Sequence, residues 1–294
     1  NQYILLTVAI IPSIYIGYRL LKADKKNRNN TTVYQLFFIG GALALPIYYL
    51  EVFLIESILQ TNPFTKAFLV ASLIEEGVKF IVLIIIASII QEKVDNGDYI
   101  LKKLDTYHYV LLAVAISLGF ATVENIVYVI NGGITYGVSR ALFAVPMHAC
   151  CGYLMGYLYS QHNSNKEAVF AVFLLPFGIH GFYNFGLFSQ EIPNFVPLVF
   201  ISIVIWGVIQ LQKVVIAFHF STKEKIKFSW GKNLIKPGSG EVHTINSFNE
   251  KFFEVIGALF FVCVFVIIFF YTSIGDNVIK IIKGILKLIL RLFE

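Results

Sequence analysis

An all-α, polytopic transmembrane helical bundle is the fold class this sequence predicts, and three observations predict it. Hydrophobic residues make up 57% of the chain and charged residues 14%, where a soluble domain carries about a quarter charged. The apolar residues are gathered into runs of roughly 20, the length a helix needs to cross a bilayer core. The lysines and arginines lie mostly in the short connections between those runs, where they set topology. The net charge of +5 therefore points to no nucleic-acid partner. A lipid bilayer is the expected surrounding.

About eight spans are read, at 3–21, 33–58, 65–90, 108–130, 136–159, 167–188, 195–219 and 252–272. The first has no basic flank before it and no small-residue cleavage site after it, so it reads as a retained helix and not a signal peptide. The second carries Glu51, facing a cavity or a lysine, and Glu56, near a surface. Charges punctuate the third at Glu75, Glu76 and Lys79, and the fourth at Glu124. Arg140 precedes the core of the fifth and is expected to snorkel to the outer interface. Within that span Pro146 is expected to kink the helix and open a pocket beside His148. The sixth holds His180 and Asn184, and the seventh is apolar. Cys150, Cys151 and Cys263 all fall in apolar runs, as packing residues and not a disulfide framework.

The remainder divides the chain. A polar stretch, 221–251, carries Gly231 and Pro237-Gly238-Ser239-Gly240 and reads as a cytoplasmic loop. Beyond the last span, Lys280, Lys283, Lys287 and Arg291 recur at helical spacing among isoleucines and leucines, the pattern of an amphipathic helix on a membrane surface. The organisation expected is a bundle over 1–220 with its functional core at about 65–188, then the loop 221–251, then the last span and tail over 252–294. Basic residues crowd the odd-numbered connections, while the even ones offer only Lys66 and Arg140. The odd connections are thus expected on the cytoplasmic side and the N-terminus outside. With eight spans the basic tail falls outside too, so either it binds an outer surface or one span is re-entrant.

Four spans carry ionisable groups that lipid excludes. A charge at the bilayer centre costs roughly 2.5–3.5 kcal/mol on insertion scales, so such groups face a bundle interior and serve chemistry or transport. Glu75, Glu124, His148 and His180 lie about six to twelve residues in from the outer ends of their spans, roughly 9–18 Å deep at about 1.5 Å per residue. Four antiparallel segments thus bring polar groups to one level. Glu75 and Lys79 share a helical face, with Glu76 turned roughly 100° away. His180 and Asn184 share another, and Phe120 and Glu124 a third, the ring packing under the carboxylate.

This set of residues suits hydrolysis. A carboxylate in an apolar site serves as a general base, and Glu75 or Glu76 is the candidate. Glu75 is preferred because Lys79 on its face keeps it ionised. Glu124, His148 and His180 either bind a divalent metal or position the attacking water. Two histidines and a carboxylate are the ligands of the catalytic zinc sites of several peptidases. Asn184 is a donor for a tetrahedral oxyanion. No His-Glu-x-x-His, Gly-x-Ser-x-Gly or pair of intramembrane aspartates occurs.

In order and spacing, Glu75-Glu76-x-x-Lys79, Phe120-x-x-x-Glu124-Asn125, the lone His148 on the next span and His180-x-x-x-Asn184 on the one after resemble the PrsW intramembrane proteases. That family belongs with the CAAX prenyl endopeptidases and the bacteriocin-immunity ABI proteins. Glu124 stands where the CAAX branch carries histidine, so prenyl-protein processing is not implied. The resemblance covers about residues 70–186. It implies cleavage of a membrane-anchored protein substrate near the outer face of a bacterial cytoplasmic membrane, typically an anti-sigma factor in stress signalling. It leaves open whether a divalent metal, zinc by its ligands, takes part or the glutamates act alone. Two competitors remain. A proton- or ion-coupled transporter would string polar groups from surface to surface across repeated halves. A catalytically inactive immunity or scaffold relative would have lost a site residue. Here the polar groups share one depth, no repeat is visible and none of the motif residues is missing.

Overall fold

The computed structural model describes residues 2–24, 30–57, 62–95, 104–161 and 166–220, and among them helix is the only regular secondary structure. The elements are α1 (Gln2–Ala23), α2 (Asn30–Ser57), a π-helical segment (Thr65–Ser72) running into α3 (Leu73–Asp95), α4 (Thr106–Leu142), α5 (Ala144–Gln161), α6 (Lys166–Phe188) and α7 (Phe195–Phe220). Among the described residues five stretches are long and apolar enough to cross a membrane: Tyr3–Ala23, Thr31–Ile55, Thr106–Gln161, Ala171–Phe188 and Phe195–Ala217. The third of these joins α4 and α5. With Glu75, Glu76 and Lys79 in its first turns, α3 is too charged to count with them. Of the eight spans expected, the one at 252–272 lies outside the described residues, as do the loop 221–251 and the amphipathic tail.

The polarity of the bundle is that of a membrane protein. Large apolar side chains point outward, with Phe38 at 73%, Tyr49 at 68% and Trp206 at 63% exposure, while Glu75, Glu76, Lys79, His148 and His180 are each 0–3% exposed. An apolar exterior costs nothing against lipid, and the ionisable groups find partners only inside.

Two local features aim these groups. At Gly133 the backbone takes φ 76°, ψ −172°, a conformation open to glycine and strained for other residues. There the chain reverses, because Arg140 meets Glu124 at 3.0 Å, whereas a straight helix would hold them roughly 24 Å apart. Sequence hydropathy placed the turn here, between 130 and 136. The next irregularity falls at Phe143 (φ −124°, ψ −54°) and not at Pro146, which sits in the first turn of α5 where no helical donor is missed.

Close backbone approach does the rest. A Cβ on Gly40 would strike the Ile116 carbonyl, and one on Gly119 the Phe37 carbonyl, so α2 and α4 touch through glycine. Gly156 and Gly152 do the same for α5 against the Tyr109 and Ala113 carbonyls of α4. Small residues are what let membrane helices pack this tightly, since apolar burial drives nothing in lipid. The π-helical segment docks on α6, with the Phe68 ring filling the space that Gly181 leaves and Ser72 Oγ donating to the Phe177 carbonyl at 2.5 Å.

Candidate active site

A lysine stands at the centre. Lys79, on the second turn of α3, is 1% exposed. Its ammonium has three N–H donors, and three acceptors surround it: Glu76 Oε1 at 2.8 Å, His148 Nδ1 at 3.1 Å and Glu75 Oε2 at 3.2 Å. Phe120, expected beneath Glu124, lies under this ammonium with its ring centroid 4.3 Å from Nζ, a cation–π contact that takes the place of water. Glu76, expected to turn away from Lys79, makes the shorter of the two salt bridges. In a dry interior an unpaired carboxylate is too costly, so both side chains swing to the cation.

The histidines enter from α5 and α6, their rings edge to face with centroids 4.9 Å apart. His180 Nδ1 lies 2.9 Å from Glu76 Oε1. A carboxylate only accepts, so that nitrogen carries the proton, and in the neutral ring Nε2 turns its lone pair toward Glu75 Oε1 at 4.0 Å. His148 Nε2 lies 2.8 Å from Glu124 Oε2, which makes Nε2 the protonated nitrogen and leaves the Nδ1 lone pair for Lys79 and, at 4.0 Å, Glu75 Oε2. Each Glu75 oxygen therefore faces an unprotonated ring nitrogen. Glu76 keeps Oε2 buried without a hydrogen-bond partner.

Together Glu75, Glu76, His148 and His180 offer ligand atoms within 4.8 Å of one another, a buried group that could hold a metal ion. The orphaned Glu76 oxygen fits a cation. Glu51, read as lining a cavity or pairing with a lysine, has a buried Oε1 with no hydrogen-bond partner.

Two expected site residues lie away from this group. Glu124, grouped by sequence with His148 and His180, sits on the far nitrogen of His148, and its other oxygen meets Arg140 Nη2 at 3.0 Å. Asn184 is half-buried one turn along α6 from His180, and no hydrogen bond among the described residues joins it to the cluster. The residue that sequence reasoning misplaced is Arg140. It does not snorkel: it pairs with Glu124, donates from Nε to Asn125 Oδ1 at 3.1 Å and covers the Tyr128 ring at 4.0 Å. The signal was available, because an arginine in an apolar run is a site candidate by the same rule as the glutamates.

Residues 29–209 match the family described as PrsW family intramembrane metalloprotease. The chain is 33% identical to Protease PrsW of Oceanobacillus iheyensis over 188 residues, covering 62% of this chain and 82% of that protein. It is 27% identical to Protease PrsW of Geobacillus kaustophilus, covering 72% and 92%, and 30% identical to that of Clostridioides difficile, covering 69% and 87%. No solved structure matches it. The match takes in every element from α2 to the middle of α7, and with them all seven predicted site residues. The chain belongs to the PrsW family of intramembrane metalloproteases, membrane-embedded peptidases.

Proposed function

We propose that this peptidase is a zinc-dependent intramembrane endopeptidase that cleaves a membrane-anchored protein near the outer face of the bacterial cytoplasmic membrane. The observation that carries the chemistry is the convergence of Glu75, Glu76, His148 and His180 in one buried cluster. His148 through Nδ1, His180 through Nε2 and Glu76 through its orphaned Oε2 are the residues that would hold the metal. Bound there, zinc would supply Lewis acidity, acidifying water and polarising the scissile carbonyl.

The chain's own groups do the rest. Glu75 is the general base: among the described residues Lys79 is its one hydrogen-bond donor, on Oε2 and by the longer of the two salt bridges, which leaves Oε1 to take a proton from water. Lys79 holds Glu75 and Glu76 side by side by donating to both. Glu124 orients the His148 ring, the task that outer carboxylates perform for histidine ligands. Asn184 is assigned the oxyanion donor, one turn from His180. Cleavage near the outer face follows from the basic residues of the odd connections. The substrate class is a single-span regulatory protein, as the family resemblance implies for anti-sigma factors.

Elemental mass spectrometry of detergent-purified protein tests this first. About one zinc per wild-type chain is expected, lost in Glu76→Gln and in His148→Ala/His180→Ala but kept in Glu75→Gln, all of them unable to cleave a single-span reporter. Metal-free protein that still cleaves would move the chemistry to the glutamates alone. Metal-free protein without cleavage would overturn the assignment.

A further inference from the structure

Arg140 belongs to none of the motifs that carry the resemblance, yet the orientation of His148 traces back to it. The two oxygens of Glu124 do different work: Oε1 meets Arg140 Nη2 at 3.0 Å and Oε2 accepts from His148 Nε2 at 2.8 Å. A guanidinium is always charged, so Glu124 beside it stays a pure acceptor. On the other side of the ring, Lys79 can only donate to Nδ1, 3.1 Å away. Both neighbours of His148 therefore demand the same tautomer, with the proton on Nε2 and the lone pair of Nδ1 turned to Lys79, with Glu75 Oε2 4.0 Å away.

The guanidinium is itself held. Its Nε donates to Asn125 Oδ1 at 3.1 Å, and Asn125 Nδ2 donates to the Ala9 carbonyl at 3.0 Å. Ala9 and Asn125 are each 0% exposed, and the Tyr128 ring closes one face of the arginine at 4.0 Å. Ala9 lies on α1, before the residues 29–209 that match the family. The reversal at Gly133 makes the whole chain of contacts possible, by folding the second limb of α4 back over Glu124.

We propose that Arg140 is a positioning residue for His148: acting through Glu124, and tied to Ala9 of α1 by way of Asn125, it fixes the Nε2-protonated tautomer and aims the Nδ1 lone pair into the site. The proposal rests on the peptidase reading only for what that lone pair serves.

The test uses the full chain in detergent micelles, labelled with [15N]histidine, the His148 resonances being identified by their loss in His148→Gln. Wild type is expected in the Nε2–H tautomer alone. Arg140→Gln should show both tautomers and bind zinc about 10–100-fold more weakly in competition with a chromogenic chelator, the range for losing a partner of a metal-bound histidine. Arg140→Lys, which keeps the charge and loses the fork, should fall between. Asn125→Leu removes the anchor but leaves the ion pair, and should show a smaller admixture of the second tautomer; it also serves should Arg140→Gln not fold. A purely structural arginine would lower thermal stability in these variants and leave the tautomer untouched. A wild-type tautomer and zinc affinity in Arg140→Gln, or in Asn125→Leu where the former does not fold, overturns the proposal. Wild type that binds no zinc while its tautomer still follows Arg140 overturns the metal reading and supports this one.

Discussion

Helix α4 meets two histidine–carboxylate clusters, one at its start and one near its middle, and the two differ in kind. At its start, Asp105 accepts from the His108 backbone N–H at 3.1 Å and lies 2.7 Å from the ring Nδ1, with Asp24 Oδ2 3.7 Å from Nε2. Beside it the Tyr107 hydroxyl donates to the Leu20 carbonyl at 2.7 Å. These contacts cap one helix and fasten it to the end of another, which is how an N-terminal aspartate is ordinarily used. Near the middle of α4, Glu124 opens onto a network whose members are separated by 24, 69 and 104 residues in sequence. The same residue types stabilise in the first place and concentrate reactivity in the second. What separates them is composition: the first holds one histidine between two aspartates, whereas the second brings two histidines and two glutamates, from α3, α5 and α6, within reach of a single cation.

That difference can be broken or sharpened by substitution. The largest effect is expected of Glu75→Gln, which should lower turnover on a single-span reporter about 10²–10⁴-fold, the contribution of a general base. His108→Gln should leave turnover at the wild-type value, and equal losses from the two would erase the distinction between the clusters. Next comes Lys79→Met. It strips the only cation from between Glu75 and Glu76, and should cost about 3–5 kcal/mol of stability in a denaturant titration, as losing one partner of a buried ion pair does. Retained stability would mean that the two carboxylates share a proton and do not need the lysine.

Gly119→Val probes the stretch of α4 between the clusters. Its side chain would fall on the Phe37 carbonyl, and overpacking of this kind should cost about 1–3 kcal/mol, read by the same titration. Smallest is Asp105→Ala, which removes the cap for about 0.5–2 kcal/mol while reporter cleavage stays unchanged. A fall in cleavage beyond what the lost stability explains would show that the two clusters on α4 communicate.

Much of this site was legible in the chain. Glu75, Glu76, Lys79, Glu124, His148 and His180 are ionisable groups in apolar runs, and lipid tolerates such groups only where they meet. That alone assembles them. The partner of each was not legible. Helical spacing separated Glu76 from Lys79, yet the ammonium reaches both carboxylates because burial leaves no other cation for either. Spacing also said nothing of Arg140, whose approach to Glu124 depends on a hairpin at Gly133 and on the rotation of two limbs about their axes.

Hydropathy and local periodicity are properties of consecutive residues, so the sequence by itself determined an all-helical membrane bundle, the family, and six of the ionisable side chains that lie inside it. Which atom of which ring faces which carboxylate depends on the register between helices packed through Gly40, Gly119, Gly152 and Gly156, and a shift of one residue would change every pairing. Only the tertiary structure decided that Lys79 stands at the centre, that Glu124 backs His148 from outside the cluster, and that α1 reaches the site through Asn125 and Arg140.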